Sequence, residues 1–153
     1  MRKIFSATAA LALALGVLAV GPTGVASASA AECRSGSNGF VDMPDNATGT
    51  YATGFTVNAG ANPVYFSLYY GTVNGVQRGW AHLAGKTSPA GSDRFWMDFS
   101  GGRVTPWLQC GPFANNSNGG PATTPAQRTH PDYSFRVCGS VYPDPTVRCS
   151  AWW

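Results

Sequence analysis

The chain has 153 residues, with ten Lys and Arg residues against seven Asp and Glu residues and a formal net charge of +3. Only 11% of the residues are charged, and the arginines are scattered along the sequence without forming a basic stripe. Nucleic-acid binding requires such a stripe, so this composition argues against a nucleic-acid partner. The length is typical of one small domain with a single modest core.

The first thirty residues have the pattern of a secretory signal peptide. Arg2 and Lys3 form a short basic start, an apolar run rich in Ala and Leu follows, and Ala28-Ser29-Ala30 offers the small residues that signal peptidase requires. We expect cleavage after Ala30, which leaves 123 of the 153 residues and lowers the net charge from +3 to +1. The sequence therefore predicts a secreted, extracellular protein with one domain over residues 31–153 and no membrane segment after cleavage.

Four cysteines all fall in the predicted exported part. An even number in a small secreted domain indicates two disulfides. Four cysteines allow three pairings, but a closing hairpin would bring Cys138 opposite Cys149, which leaves Cys33 for Cys110. The chain has no close C-x-x-C pair and only two histidines, so we expect no metal site.

Residues rich in β-branched and aromatic side chains recur between Gly- and Pro-containing turns, as in an antiparallel β protein. Asn74-Gly75 is the preferred pair for a two-residue hairpin turn. Residues 31–46 are expected to form an extended lead-in, and residues 111–131 an irregular segment. The predicted strands are Thr50–Val57, Val64–Tyr70, Gln77–Leu83, Arg94–Ser100, Val104–Cys110, and the closing hairpin of Tyr133–Val141 with Thr146–Trp153.

The fold class that follows is all-β. Alternation over Arg94–Ser100 places Phe95, Met97 and Phe99 on one face of a strand and Arg94, Trp96 and Asp98 on the other. No window beyond residue 30 has a helical period. We predict a small antiparallel β-sandwich or barrel of six or seven strands with two disulfides.

No arrangement of residues predicts catalysis. His82 and His130 lack a nucleophile motif nearby, and G-x-S-x-G is absent. Asp93 and Asp98 are five apart on a strand-like run, which puts them on opposite faces rather than together as a glycosidase pair. We therefore expect a protein that is not an enzyme and that uses no cofactor.

The aromatic residues are the best candidates for a binding surface. Tyr65 and Tyr69 share one face of a predicted strand, and Trp96 lies on the polar face of another. The simpler interpretation is that the aromatic side chains form layers inside a sandwich. The functional hypothesis is that Tyr65, Tyr69 and Trp96 contact a protein or glycan, because Tyr and Trp are strong anchors at interfaces.

Several motifs resemble those of small secreted proteins of Streptomyces and related actinomycetes. They are Cys110-Gly111-Pro112-Phe113, Phe135-Arg136-Val137-Cys138-Gly139, and Cys149 with the final Trp152-Trp153 pair. The resemblance covers residues 64–153 and brings no catalytic residues with it. Small exported β proteins of this kind include adaptors in secreted antibacterial "umbrella" toxin particles, so the resemblance implies a protein partner in such a complex.

The leading hypothesis is a secreted, non-enzymatic module that binds another secreted or cell-surface protein. Its lead-in, Cys33–Asn46, could add a strand to the sheet edge of a partner. One alternative is a module that binds carbohydrate or cell wall through exposed aromatic residues. Another is a protease inhibitor that presents Gly111–Pro131 as a stiff loop.

Overall fold

The computed structural model describes residues 26–59, 62–85, 87, 92–102, 104–116 and 119–153. Most of the predicted signal peptide, residues 1–25, lies outside the described residues. The fold is all-β, with two sheets that enclose one hydrophobic core, and this confirms the predicted class. Among the described residues, no helix has the length and apolar character needed to cross a membrane.

Sheet I contains three long antiparallel strands and two short pieces beside them. The strand order is β2–β3–β4–β7, and β8 also pairs with β4. Asn74 and Gly75 both have positive φ values, +51° and +75°, and form the predicted hairpin turn between β3 and β4. The strands of sheet I are β2 (Thr50–Ala59), β3 (Asn62–Val73), β4 (Val76–Ala84), β7 (Ala122–Thr123) and β8 (Gln127–Arg128).

Sheet II has the order β1–β6–β5–β9–β10. All its pairs are antiparallel except the outermost, in which β1 runs parallel to β6. A five-residue helix, α1 (Ala30–Arg34), follows β1 directly. The strands of sheet II are β1 (Ala26–Ala28), β5 (Arg94–Gly101), β6 (Val104–Ala114), β9 (Ser134–Ser140) and β10 (Arg148–Cys149).

The core forms where the inward faces of the two sheets meet. Phe66 and Leu68 of β3 and Phe95 and Met97 of β5 are fully buried, as the alternation along each strand predicts. Gly139 of β9 lies directly against this core, because a β-carbon there would be only 2.1 Å from Phe66 Cε1. Six strands of seven or more residues build the sandwich, which agrees with the predicted number.

The two disulfides pair as the hairpin argument favours. Cys138–Cys149 joins β9 to β10, and Cys33–Cys110 joins α1 to β6 across 77 residues of sequence. The described residues include no free cysteine. Each disulfide is attached to sheet II, so both ends of the described chain are fastened to the same sheet.

The prediction of an irregular segment over residues 111–131 is wrong for its second half. Residues 122–127 are buried beside β4, and two short strands form there. Thr124 pairs with Ala81 twice, because its N–H donates to the Ala81 carbonyl and its hydroxyl accepts the Ala81 N–H. Pro125 interrupts the ladder, which leaves strands too short to produce a period in the sequence.

The predicted lead-in is folded against the domain and is not an extended free segment. It begins with α1, Phe40 is buried, and Val41 exchanges two backbone hydrogen bonds with Ala126. The Gln127 amide donates to the Asn38 carbonyl at 2.7 Å. With its backbone engaged in this way, the lead-in is not available to extend the sheet of a partner.

Candidate functional site

The structure separates the three aromatic residues predicted as one binding surface. Tyr65 and Tyr69 lie on the outer face of sheet I, since they alternate with the buried Phe66 and Leu68. Trp96 alternates with the buried Phe95 and Met97 and lies on the outer face of sheet II. The whole sandwich stands between Trp96 and the two tyrosines, so they cannot contact one ligand group together.

A row of rings crosses the outer face of sheet I. Tyr51 packs edge-to-face on Tyr69 with ring centroids 6.2 Å apart, and Tyr69 packs edge-to-face on His82 at 5.3 Å. Tyr51 is 57% exposed and Tyr65 is 48% exposed. Burial lowers the pKa of His82 below its ordinary value, which favours the neutral imidazole. This face is rich in aromatic rings, and the alternation along β4 also places Arg78 on it.

The outer face of sheet II carries a compact cluster around Arg136. Its Nε and Nη2 atoms donate to Asp98 Oδ2 at 2.8 and 2.7 Å. Its guanidinium lies over the rings of Trp107 and Trp152, 5.1 and 4.4 Å from their centroids. Burial raises the pKa of Asp98, and the neighbouring Arg136 and Trp96 oppose that shift. Because the guanidinium is already paired and stacked, this cluster fixes Trp152 to the sheet and offers no free cation.

A concavity lies where the two sheets meet at one end of the sandwich. It has a volume of about 330 Å³ and one side open to solvent. Small-molecule sites typically measure about 300–1,000 Å³, so it is large enough for one ring or one large side chain. We call it the seam cleft, and its lining residues are Gln77, Thr129, His130, Pro131, Tyr133, Phe135 and Trp153.

Trp153 forms one wall of the seam cleft and is held by both sheets. Its backbone exchanges two hydrogen bonds of 2.9 Å with Phe135 of β9 in sheet II. Its ring stacks on Tyr70 of β3 in sheet I, with centroids 4.9 Å apart and planes 19° from parallel. Trp153 as a whole remains 39% exposed, so these contacts cover it only in part.

Tyr133 also lines the seam cleft. Its ring packs edge-to-face against the buried Phe99 at 5.0 Å and lies 5.1 Å from the His130 ring. A turn hydrogen bond from Tyr133 N–H to the His130 carbonyl, 2.9 Å long, fixes the two residues relative to each other. A second concavity of about 190 Å³ lies on the other side of the tyrosine, which therefore contributes to both.

Polar groups form the edge of the seam cleft on the side of sheet I. The Thr129 hydroxyl donates to Gln77 Oε1 at 2.8 Å, which leaves the Gln77 amide nitrogen as a donor. His130 Nδ1 accepts the Asp132 N–H at 3.2 Å, which leaves Nε2 as the donor nitrogen. A lining that combines aromatic rings with hydrogen-bonding groups suits a ligand that has both an apolar face and polar edges.

The described residues contain no catalytic constellation. His130 lies 3.4 Å from Asp132, but both side chains are at least half exposed and no nucleophile contacts the imidazole. Asp93 is fully buried and accepts hydrogen bonds from Thr87 and from the Tyr142 N–H, so it fastens loops together. Asp98 instead pairs with Arg136, so the two aspartates have different partners.

One group of potential metal ligands occurs among the residues described, and its chemistry does not suit a metal. Side-chain atoms of Asp98, Cys138 and Cys149 lie within 4.8 Å of one another. Both sulfurs are consumed in a disulfide, and thiolate is the form of cysteine that binds metals. Asp98 is also already paired with Arg136.

Sequence reasoning missed the seam cleft because its walls come from distant parts of the chain. The one signal of it in the sequence is the terminal Trp152-Trp153 pair. In the structure the two rings separate: Trp153 packs between the sheets, and Trp152 stacks on the outer face of sheet II. That separation depends on the course of the chain after β10, which the sequence does not display.

Comparisons with known proteins identify no relative. No protein-family model, no curated protein and no solved structure matches the chain.

Proposed function

We propose that this protein is a secreted, non-enzymatic interaction module whose seam cleft receives an apolar or aromatic side chain of a partner protein. The observation that carries the proposal is the partly exposed Trp153, which lines a cavity of about 330 Å³ together with Tyr133. Interface anchors are most often aromatic residues in preformed pockets. The two disulfides support an oxidising, extracellular compartment.

We further propose that the partner is another secreted or cell-surface protein, as in an antibacterial toxin complex. The support is the motif resemblance to small exported actinomycete proteins, together with a domain that has no catalytic arrangement in its described part. An adaptor needs a rigid scaffold and at least one docking surface, and a disulfide-bonded sandwich supplies the first of these. The seam cleft supplies the second.

Affinity purification of the tagged chain from culture medium tests this function. We expect a stoichiometric protein partner with the wild-type chain and at least about tenfold less with Trp153→Ala, the loss typical of a central anchor. Trp152→Ala is the matched control, because Trp152 stacks on the outer face of sheet II, away from the cleft. Recovery of the monomer alone across growth phases would contradict the proposal.

A glycan is the second candidate ligand. The specific observation in its favour is that Gln77, Thr129 and His130 bring polar groups to the same cleft as the aromatic rings. Retention of the purified protein on chitin, cellulose or peptidoglycan, lost in Tyr133→Ala, would favour this function over a protein partner. The inhibitor alternative has less support, because residues 122–127 of the proposed inhibitory loop are buried.

A further inference from the structure

The outer edge of β6 carries a short strand that belongs to the predicted signal region. Ala26, Ser27 and Ala28 pair in parallel register with Leu108, Gln109 and Cys110. Ala28 is only 4% exposed and packs with the hydrophobic core, whereas Ala26 and Ser27 are exposed. The edge of β6 therefore has a recess for one small side chain.

Cleavage after Ala30 would remove this strand. It would also remove Ser29, whose hydroxyl accepts the Glu32 N–H and whose own N–H donates to the Glu32 carboxylate at 2.7 Å. Cys33 would stay in place, because its disulfide to Cys110 ties α1 to β6. The processed chain would then present the backbone of residues 108–110 without its neighbour. An unpaired strand edge is a ready template for another strand.

We propose that this vacated edge, the β6 slot, binds an extended strand of the partner protein. The slot consists of the Leu108–Cys110 backbone and the recess that Ala28 fills. The incoming strand runs parallel to β6, and it places a small residue such as Ala, Ser or Gly in the recess. This inference rests on the proposed export and interaction function, and it names the chemistry of the partner segment.

The register of β1 distinguishes a partner strand from a second copy of this chain. Two copies related by a twofold axis would pair β6 with β6 in antiparallel orientation, whereas the slot accommodates a parallel strand. The lead-in of the chain cannot fill the slot either. It is tied down by the Cys33–Cys110 disulfide at one end and by the Val41–Ala126 bridge further on.

The segment that occupies the slot in the structure supplies the probe. A chain of residues 31–153, labelled with nitrogen-15, is titrated with an acetylated, amidated peptide of residues 26–30. We expect amide shifts concentrated at Leu108, Gln109 and Cys110, with a dissociation constant on the order of 1 mM for so short a strand. A chain of residues 26–153, in which β1 already fills the slot, should show no such shifts.

Two peptide variants test the recess itself. Ala28→Arg places a charge where the native side chain is 4% exposed, and it should weaken binding at least about tenfold. Ala26→Arg, at an exposed position of the same strand, should bind within about twofold of the parent peptide. Equal binding by both variants would show that the recess does not select the ligand, and this would overturn the proposal.

Three further measurements can also overturn it. An intact mass showing that the exported protein retains residues 26–30 would mean that the slot is already full. A dimer of the processed chain in sedimentation, abolished by Gln109→Pro, would make a second copy the occupant. An unfolded circular-dichroism spectrum of the 31–153 chain would show that the processed domain cannot present the slot. Partner capture through Trp153 is independent of this peptide titration, so the proposed function and the β6 slot can fail separately.

Discussion

At the scale of single residues, the Arg136–Asp98 pair shows how this fold accommodates a charge on a covered sheet face. The Asp98 side chain is 3% exposed and that of Arg136 is 21% exposed. Removing one member of a buried pair leaves an uncompensated charge, which costs far more than the loss of a surface ion pair. The stacked Trp107 and Trp152 rings depend on the same guanidinium.

Arg136→Met should lower the free energy of unfolding by about 3 kcal/mol at neutral pH, because it leaves the Asp98 carboxylate buried without its cation. Burial already raises the pKa of Asp98 above 3.8, and the variant loses the cation that opposes this shift. The loss of stability should therefore shrink as the pH falls towards 3.8 and Asp98 becomes protonated in the folded state. Denaturant titrations at several pH values measure both effects.

Arg148→Met is the control for that variant. Arg148 pairs with Asp144 on the surface at 3.1 Å, and both side chains are nearly half exposed. Its removal should cost less than about 1 kcal/mol. Equal losses in the two variants would show that burial of Asp98 is not what makes the Arg136 pair important.

His82 should make the stability of the protein depend on pH. Burial lowers its pKa in the folded state below 6.5, so the unfolded chain takes up a proton at a higher pH than the folded chain. His82 therefore leaves the free energy of unfolding at its full value above pH 6.5. As the pH falls below 6.5, protonation of the unfolded chain lowers that free energy. In His82→Gln, the dependence of the urea midpoint on pH between 7.5 and 5.5 should become flatter.

At the scale of elements, β9 can pack on sheet I only because residue 139 has no side chain. A β-carbon there would lie 2.1 Å from Phe66 Cε1 and 2.6 Å from the Arg94 carbonyl oxygen. The backbone cannot move away, because β9 is paired on both sides, with β5 and with β10. Gly139 therefore sets the distance between the two sheets at this point.

Gly139→Ala should destabilise the protein by about 3 kcal/mol, at the upper end of the range for overpacked cores. Gly120→Ala is the matched control, because the nearest atom to its β-carbon is the Asn116 amide nitrogen at 3.8 Å. We expect the control to change stability by less than about 0.5 kcal/mol. Thermal unfolding of the two variants compares them directly, and a tolerated alanine at 139 would mean that the sheets can separate locally.

The elements that the sequence predicts well are those with a period or a turn motif. The β3–β4 hairpin follows from Asn74-Gly75, and the inward face of β5 follows from alternation. The short strands β7 and β8 have two residues each, too few for any period to appear. Their position depends on side-chain bonds such as that of Thr124 to the Ala81 N–H, which no local pattern reports.

At the scale of the whole molecule, the candidate site was less predictable than the fold. Alternation places Tyr65 and Tyr69 on one outer face and Trp96 on an outer face too, but it does not tell which sheet each strand joins. The seam cleft combines β4, β9, the residues after β8 and the end of the chain. Contacts between such distant segments are fixed by packing and by the two disulfides, so they become visible only in three dimensions.

Replacing Trp153 should destabilise both sheets, because its ring stacks on Tyr70 of sheet I and its backbone pairs with Phe135 of sheet II. Full truncation of a buried Trp costs about 3–5 kcal/mol, and partial exposure reduces the expected loss for Trp153→Ala to about 2 kcal/mol. Hydrogen exchange should accelerate in β3 and β9 together.

Trp152→Ala is the control for this prediction. It removes an exposed cation–π contact worth about 0.5–1 kcal/mol, and its effect should stay within sheet II. If exchange in Trp153→Ala rises in β9 alone, the indole does not join the two sheets, and the seam cleft loses the rigidity that a preformed pocket requires.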